Sequence, residues 1–330
     1  MTTIMKVEDL RKTYRKAKRP ALDGLSFDVE EGAVYAFVGP NGAGKTTTIS
    51  IIATLLSFDS GHVRVGGYPI DTKPREVRRL LGYIPDEFGL YSEMLVTEYL
   101  DFFASCYDID AAKRRSIAAD LLDLVGLSHR ADDQVRMLSR GMRQRLGLAR
   151  ALVHDPALIV ADEPAAGLDP RARVELREIF KALQEMGKTI FLSSHVLKEL
   201  DEVATHIGIV EAGKLVTAGP LEDVRLKMRP QRCVRITFLD AARDTDGNTI
   251  DDAQVWLSDR PDVTSVEPAP PVTNGNHGHP ALLVMVQGQE DRVASLLRAL
   301  VHEGFPVLSY VEERQTLESL FLNLTQGVVS

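Results

Sequence analysis

The sequence predicts an α/β protein, a parallel sheet flanked by helices over its first two-thirds, followed by a smaller α+β domain. Three observations predict it. Short β-branched runs alternate with helical patterns through most of the chain, the pattern of a parallel sheet wrapped by helices. The pattern between Thr97 and Val153 is helical throughout, which reads as a helical insertion. The alternation then stops near KMRPQR, residues 227 to 232, and strands and helices resume in the order βαββαβ, which fits a ferredoxin-like sandwich. A chain of 330 residues, 44% of them hydrophobic, is long enough to bury a core in each of two domains.

Each element follows from its own residues. VYAFVG (34–39) is a short apolar run that precedes the helical pattern TTTISIIATLL, so it reads as a buried strand feeding a helix. Within the helical insertion, LSRGMRQRLGLARAL (138–152) carries the helical positions Met142, Leu146, Ala149 and Val153. ALIVAD (157–162) and KTIFLSS (188–194) repeat the strand signal, followed by the helical RARVELREIFKAL and VLKELDEVA. Beyond the linker come strand CVRITFL, a short helix around Ala253 to Leu257 and strands VTSVEP and ALLVMV. A helix with Val293, Leu296, Leu297, Leu300 and Val301 on one face and strand PVLSYVEE complete the set. TLESLFLNLT places Leu317, Leu320, Phe321 and Leu324 on one stripe and reads as a final helix. PVTNGNHGHP, with His277 and His279, reads as an exposed turn because of its Asn-Gly and Pro residues.

Composition excludes several classes. A formal net charge of −8 argues against a nucleic-acid surface as the main business of the chain. The basic run from Arg11 to Arg19 reads as a solvated loop. Cys106 and Cys233 sit in unrelated contexts with no metal-like spacing. No apolar run approaches the length that crosses a bilayer, and the start MTTIMKVEDLRKTY lacks a signal-peptide layout, so a soluble cytoplasmic chain is expected.

The chemistry sits in four motifs. Gly39-Pro-Asn-Gly-Ala-Gly-Lys45-Thr46 matches G-x-x-x-x-G-K-[ST] and stands between a strand and an apolar helix, where glycines let backbone N–H groups wrap a β-phosphate. Lys45 would reach the β and γ oxygens and Thr46 would offer its hydroxyl to Mg²⁺. The strand LIVA delivers Asp162 and Glu163 at its carboxyl end, one for the magnesium shell and one as a base for the attacking water. His195 ends TIFLSS, placed to hydrogen-bond a γ-phosphate. Finally Ser139, Arg140 and Gly141 open a helix, a place where backbone N–H groups gather an anion, and so form a second phosphate-type site in a chain that already has one.

In this order, the phosphate loop, LSRGMRQR, IVADEP, AAGLD and LSSH resemble the ATP-binding subunit of an ABC transporter over roughly residues 1 to 225. The resemblance implies a phosphate-loop NTPase fold that binds ATP and Mg²⁺ and hydrolyses ATP, with Gly39, Asn41, Gly42, Gly44, Lys45, Thr46 and Thr47 holding the nucleotide. It implies two such domains packed head to tail, Ser139 and Gly141 of one capping the γ-phosphate held by the Lys45 loop of the other. It makes Tyr14 the aromatic that stacks on adenine and Asp169 the residue that links the two sites. Departures stand beside these matches. Asp86, after Gly82-Tyr83-Ile84-Pro85, replaces the family's glutamine that touches magnesium and water; Met142 and Arg140 replace the usual Gln and Gly of the signature.

GYIPDEFGLYSEMLVTEYLDFF and TLESLFLNLT are similar to the single-domain ATPases of type-2 ABC export permeases. That likeness implies a peripheral protein on the cytoplasmic face of the membrane, paired as a homodimer with a separate integral-membrane permease, and no nucleic acid. Phe88, Leu90 and Tyr91 would line the groove that receives the permease. The ATP-binding domain would span 1–227, with its helical insertion at about 91–153. An accessory domain would span 232–330, regulatory or dimer-stabilising in role. The alternative function is an ABC ATPase acting on ribosomes or DNA, which would call for two such domains in one chain or a long coiled-coil insertion; neither is present.

Overall fold

VYAFV is buried at all five positions because it forms β3 (Val34–Val38), inside a sheet of six strands. In the computed structural model the described residues are 2–15, 17–86, 89–194, 200–227, 231–239, 250–274, 277–288 and 290–313. The chain divides into two compact units, one over Met1–Val224 and the other over Arg225–Thr316.

The first unit contains two sheets. The larger is made of β3, β6 (Leu81–Ile84), β7 (Leu158–Ala161), β8 (Thr189–Ser194), β9 (His206–Glu211) and β10 (Lys214–Pro220), in the order β10-β9-β3-β8-β7-β6. All neighbours but the β10–β9 pair run parallel. β7 and β8 are also buried along their whole length, as expected for parallel strands covered on both faces. Register decides function here: Val38 pairs with Ser194, Ala161 with Leu192, and Ile84 with Ala161. The carboxyl ends of these strands therefore open on one edge of the sheet, the edge where such sheets bind ligands.

The second sheet is a finding. β1 (Thr3–Lys12), β2 (Leu22–Glu30), β4 (Ser60–Val65) and β5 (Tyr68–Pro69) form an antiparallel sheet in the order β2-β1-β4-β5, where sequence alternation suggests only a parallel one. Its signal is weak because the β1–β2 register shifts between Val7 and Leu10, where Asp9 takes φ 46°, and the period of two is lost. Arg11 and Lys12, read as part of a solvated loop, instead close β1: Arg11 pairs with Asp9 and Asp23, and Lys12 with Asp59 at 3.4 Å. The two sheets share a core. Phe191 of β8 stacks on Phe27 of β2 at 5.6 Å and lies 5.5 and 5.3 Å from Tyr35 and Phe37 of β3.

Helices α1 (Lys45–Ile52), α2 (Pro74–Leu80) and α6 (Pro170–Glu185) connect the strands and α7 (Leu221–Lys227) follows β10, while α3 (Val96–Cys106), α4 (Ala111–Leu124) and α5 (Arg140–Leu152) supply the helical insertion. Ser139 caps α5 by accepting from the Met142 N–H at 3.3 Å, and Asp169 caps α6 by accepting from Ala172 N–H at 2.9 Å. These two helix starts touch. Arg140 donates to the Ala166 carbonyl at 3.2 Å, and a Cβ at Gly141 would come within 2.9 Å of the Ala172 Cβ.

In the second unit, β11 (Gln231–Phe238), α8 (Ile250–Ser258), β12 (Val263–Asn274), β13 (His277–Gln287), α9 (Glu290–His302) and β14 (Val307–Glu313) follow the expected βαββαβ order. The antiparallel sheet runs β12-β13-β11-β14, the ferredoxin-like order, around Val234, Ile236, Phe238, Leu257, Leu282, Val284, Leu296 and Leu300. His277 and His279, expected in an exposed turn, lie on β13, where they pair with Asn274 and Val272. The stretch TLESLFLNLT lies outside the described residues.

The Gly141–Ala172 approach yields a stability test. Gly141→Ala gains helix propensity but must push α6 away, and overpacking of this kind costs roughly 1–3 kcal/mol. A double-mutant cycle with Ala172→Gly, read by urea unfolding, should show a favourable coupling of about 1 kcal/mol. Additive effects would mean that the two helix starts are not in tight contact.

Candidate functional site

The loop after β3 is shaped by glycines that nothing larger can replace. A Cβ at Gly39 would lie 2.3 Å from the Val210 carbonyl, and Gly44, at φ 105°, would press one within 2.7 Å of the Ala21 carbonyl. The chain can therefore turn tightly into α1, which starts at Lys45 with no side-chain cap and no acidic residue in its first turn. Uncapped N–H groups at a helix start favour an anion.

Lys45 is buried at the floor of this loop. Its ammonium donates to the Gly39 carbonyl at 2.8 Å and the Pro40 carbonyl at 3.4 Å, and stands 3.6 Å from Glu163 Oε1. Above it opens a cleft of about 490 Å³ bounded by Tyr14, Asn41, Gly42, Gly44, Lys45, Thr46, Thr47, Asp86 and Glu163. The Tyr14 hydroxyl is 3.2 Å from Thr47 Oγ1, and the residue as a whole is 46% exposed at the rim of the cleft.

The acidic side of the cleft is organised by Ser193, which lies within LSSH but to which the sequence motifs assign no role. Ser193 Oγ donates to Asp162 Oδ1 at 2.6 Å and accepts from the Glu163 N–H at 2.9 Å. Asp162 is 3% exposed, and its own N–H donates to the Ile84 carbonyl. Glu163 takes φ 47°, a left-handed conformation that costs a non-glycine residue roughly 1–3 kcal/mol and persists only when its surroundings hold it. Ser193 and Lys45 hold it from two sides. The signal for Ser193 was the pair of hydroxyls closing an otherwise apolar strand, since a buried polar side chain at a sheet centre needs a partner.

Among the described residues no group of three His, Cys, Asp or Glu side chains is arranged to hold a metal alone. The donor set nevertheless suits magnesium: the Thr46 hydroxyl and the Asp86, Asp162 and Glu163 carboxylates are hard oxygen donors, and magnesium completes its shell with substrate phosphates and water.

The structure thus brings Tyr14, Asn41, Gly42, Gly44, Lys45, Thr46, Thr47, Asp86 and Glu163 to one cleft, with Asp162 beneath it and Gly39 at the base of the loop. Ser139, Gly141 and Asp169 do not line it; they gather where α5 and α6 begin. His195 lies outside the described residues, one position beyond the end of β8.

Known proteins place this architecture. Residues 22–166 match the family model described as ABC transporter. The linearmycin resistance ATP-binding protein LnrL of Bacillus subtilis is 31% identical over 331 residues, covering 98% of this chain and 98% of its own. The bacitracin transport ATP-binding protein BcrA of Bacillus licheniformis is 32% identical, covering 99% of each. Among solved structures, cbiO1 from Clostridium perfringens, part of the ABC transporter complex cbiONQ, gives a TM-score of 0.63 at 27% identity over 69% of this chain and 92% of that one. A dimeric ATP-binding cassette bound to ADP and phosphate gives 0.60 at 25% identity over 66% and 98%. A nearly full-length likeness, on a chain whose phosphate loop, acidic strand end and signature helix take the arrangement described above, leaves one conclusion: this protein belongs to the ATP-binding proteins of ABC transporters and hydrolyses ATP.

Proposed function

We propose that this chain powers export through a separate integral-membrane permease, working as a head-to-tail homodimer on the cytoplasmic face of the membrane. The observation that carries the reading is the separation of the two phosphate-type sites: Ser139 and Gly141 are absent from the lining of the cleft formed by their own chain. A second subunit turned head to tail gives them a phosphate to cap. Dimeric cassettes among the solved relatives support this arrangement. The names of the full-length relatives, drawn from antibiotic resistance and transport, support export over action on ribosomes or DNA. No helix among the described residues is long and apolar enough to cross a membrane, in keeping with a permease on another chain. In this reading residues 1–227 form the ATP-binding domain, with the insertion at about 91–153 facing the permease, and 232–330 an accessory domain that steadies the dimer.

Each residue then has a task. Tyr14 stacks on adenine, and the loop from Gly39 to Thr47, with Asn41, Gly42 and Gly44, wraps the phosphates. Magnesium, for which Thr46, Asp162 and Asp86 offer the oxygens, supplies neutralisation of charge on the β and γ phosphates. Lys45 exchanges its contacts with Glu163 and the loop carbonyls for phosphate oxygens. That exchange frees the carboxylate of Glu163, whose backbone N–H is anchored on Ser193, to take a proton from the attacking water. His195 contacts the γ-phosphate, and Asp169 relays between the two sites across the dimer.

Two measurements test this. Glu163→Gln should bind MgATP at least as well as the parent while turnover falls about a hundredfold or more, the scale of a lost general base; unchanged turnover would remove Glu163 from catalysis. The permease contact is tested at Leu90 and Tyr91, since Phe88 lies outside the described residues. Tyr91 is 52% exposed, with its ring 5.5 Å from Phe102, so it belongs to the surface of the insertion and not to its core. Replacing Leu90 and Tyr91 with Ser should leave ATP binding and Tm near normal and abolish co-purification with membranes; a collapse in Tm would place both in the core.

A further inference from the structure

The turn that follows Glu163 is tied along its length. Its Ala166 N–H donates to the Glu163 carbonyl at 3.0 Å and its Leu168 N–H to the Ala165 carbonyl at 3.3 Å. At the far end Asp169 caps α6, and Arg173 of α6 donates to the Leu168 carbonyl at 2.9 Å. Those contacts are local. A further one arrives from the helical insertion: Arg140, the first residue of α5, donates from Nη2 to the Ala166 carbonyl at 3.2 Å, and Ala166 borders the cleft. The same guanidinium lies against Gly167, where an added Cβ would come within 2.6 Å of its Cζ and Nη2. Gly167 takes φ 66°, so the missing side chain both permits the turn and leaves room for the cation. An arginine in the first turn of a helix opposes the helix dipole, and a residue that breaks a local rule in this way points to a task elsewhere.

We propose that Arg140 is a positioning residue for Glu163 of its own chain, linking the start of the signature helix to the turn that carries the general base. The inference rests on the head-to-tail reading and adds to it the residue through which one site acts on the other. In such a dimer α5 caps the phosphate held by the partner, so a contact from α5 to the turn after Glu163 makes the setting of this base depend on the partner's nucleotide. Glu163 is sensitive to such a contact because its φ of 47° persists only while its surroundings hold it. A misplacement of about 1 Å at a reacting group can cost on the order of a hundredfold in rate, and one exposed contact among several accounts for about tenfold of that. The loss falls on turnover, since Arg140 does not line the cleft that binds the nucleotide.

The test is steady-state MgATP turnover by the full chain, with the membrane partner present if assembly needs it. Arg140 is exposed, so Arg140→Ala opens no cavity and should leave Tm unchanged. It should lower kcat about tenfold with KM within about twofold of the parent, and Arg140→Lys, which can still donate to the Ala166 carbonyl, should recover most of the loss. Mixed dimers then decide which site the arginine serves. With an excess of Lys45→Ala, whose phosphate loop is disabled, Arg140→Ala keeps its own Glu163 and receives an intact signature helix from its partner. Its rate should stay about tenfold below that of the parent mixed with the same excess. The parent mixed with an excess of Lys45→Ala/Arg140→Ala should match that control. The opposite pair of results would mean that Arg140 reaches the partner's phosphate, and would overturn the proposal. Parental kcat in Arg140→Ala, or no recovery by lysine, would overturn it and leave the dimer standing. If tagged Lys45→Ala captures no parent chain under these conditions, the homodimer itself fails, and the proposal with it.

Discussion

A buried ammonium is the constraint around which the first unit is arranged. Lys45 cannot lie in the protein uncompensated, since an unpaired buried charge costs several kcal/mol. Its compensation comes from three directions: carbonyls at 39 and 40 that the glycine loop bends back toward it, and the Glu163 carboxylate at the end of the neighbouring strand system. Each of these contacts is one that a phosphate can replace. In the mechanism proposed above, nucleotide binding would exchange these interactions for phosphate contacts, and the same exchange would release Glu163.

That arrangement depends on strand register. β3 and β7 are not neighbours; β8 lies between them, and Ser193 on β8 reaches sideways to fix both Asp162 and Glu163. The aromatic cluster of Phe27, Tyr35, Phe37 and Phe191 pins β2, β3 and β8 together on the same face of the sheet from which Ser193 projects. A shift of one residue in β8 would turn Ser193 to the opposite face and leave the Asp162 carboxylate and the Glu163 N–H without their common partner. Packing of the core and placement of the chemistry are here one property of the sheet.

Much of this was legible in the sequence, and what was not has physical causes. The phosphate loop, the LIVA strand and the βαββαβ order of the second unit are local patterns, and local patterns survive in a linear reading. The antiparallel sheet was hidden because bulges around Asp9 break the alternation that announces a strand. The part played by Ser193 was hidden because its two partners, Glu163 and Asp162, lie 30 and 31 residues away along the chain, both just beyond the end of β7, and nothing in LSSH says which partners its serines take. His277 and His279 were assigned to a turn because Asn-Gly and Pro outweigh the β13 pairing that only the hairpin reveals. The close approach of Gly141 to Ala172 was likewise invisible, and it matters for interpretation: a side chain at 141 meets its own subunit before it meets any partner.

A head-to-tail dimer requires that the signature helix serve the cleft of a second subunit, and Ser139 is the cleaner place to test it. Aspartate at 139 keeps an acceptor for the helix cap and sets a carboxylate where the partner's phosphate would approach. Lys45→Ala disables the phosphate loop, so each variant alone should lack ATPase activity. When the two are mixed, a head-to-tail dimer containing one of each has one composite site with both lesions and one site with neither. Mixing the two inactive proteins, with the membrane partner present if assembly needs it, should therefore restore a substantial fraction of ATP turnover. A mixture as inactive as its components, under conditions where mixed dimers form, would contradict the account and place the signature within its own subunit.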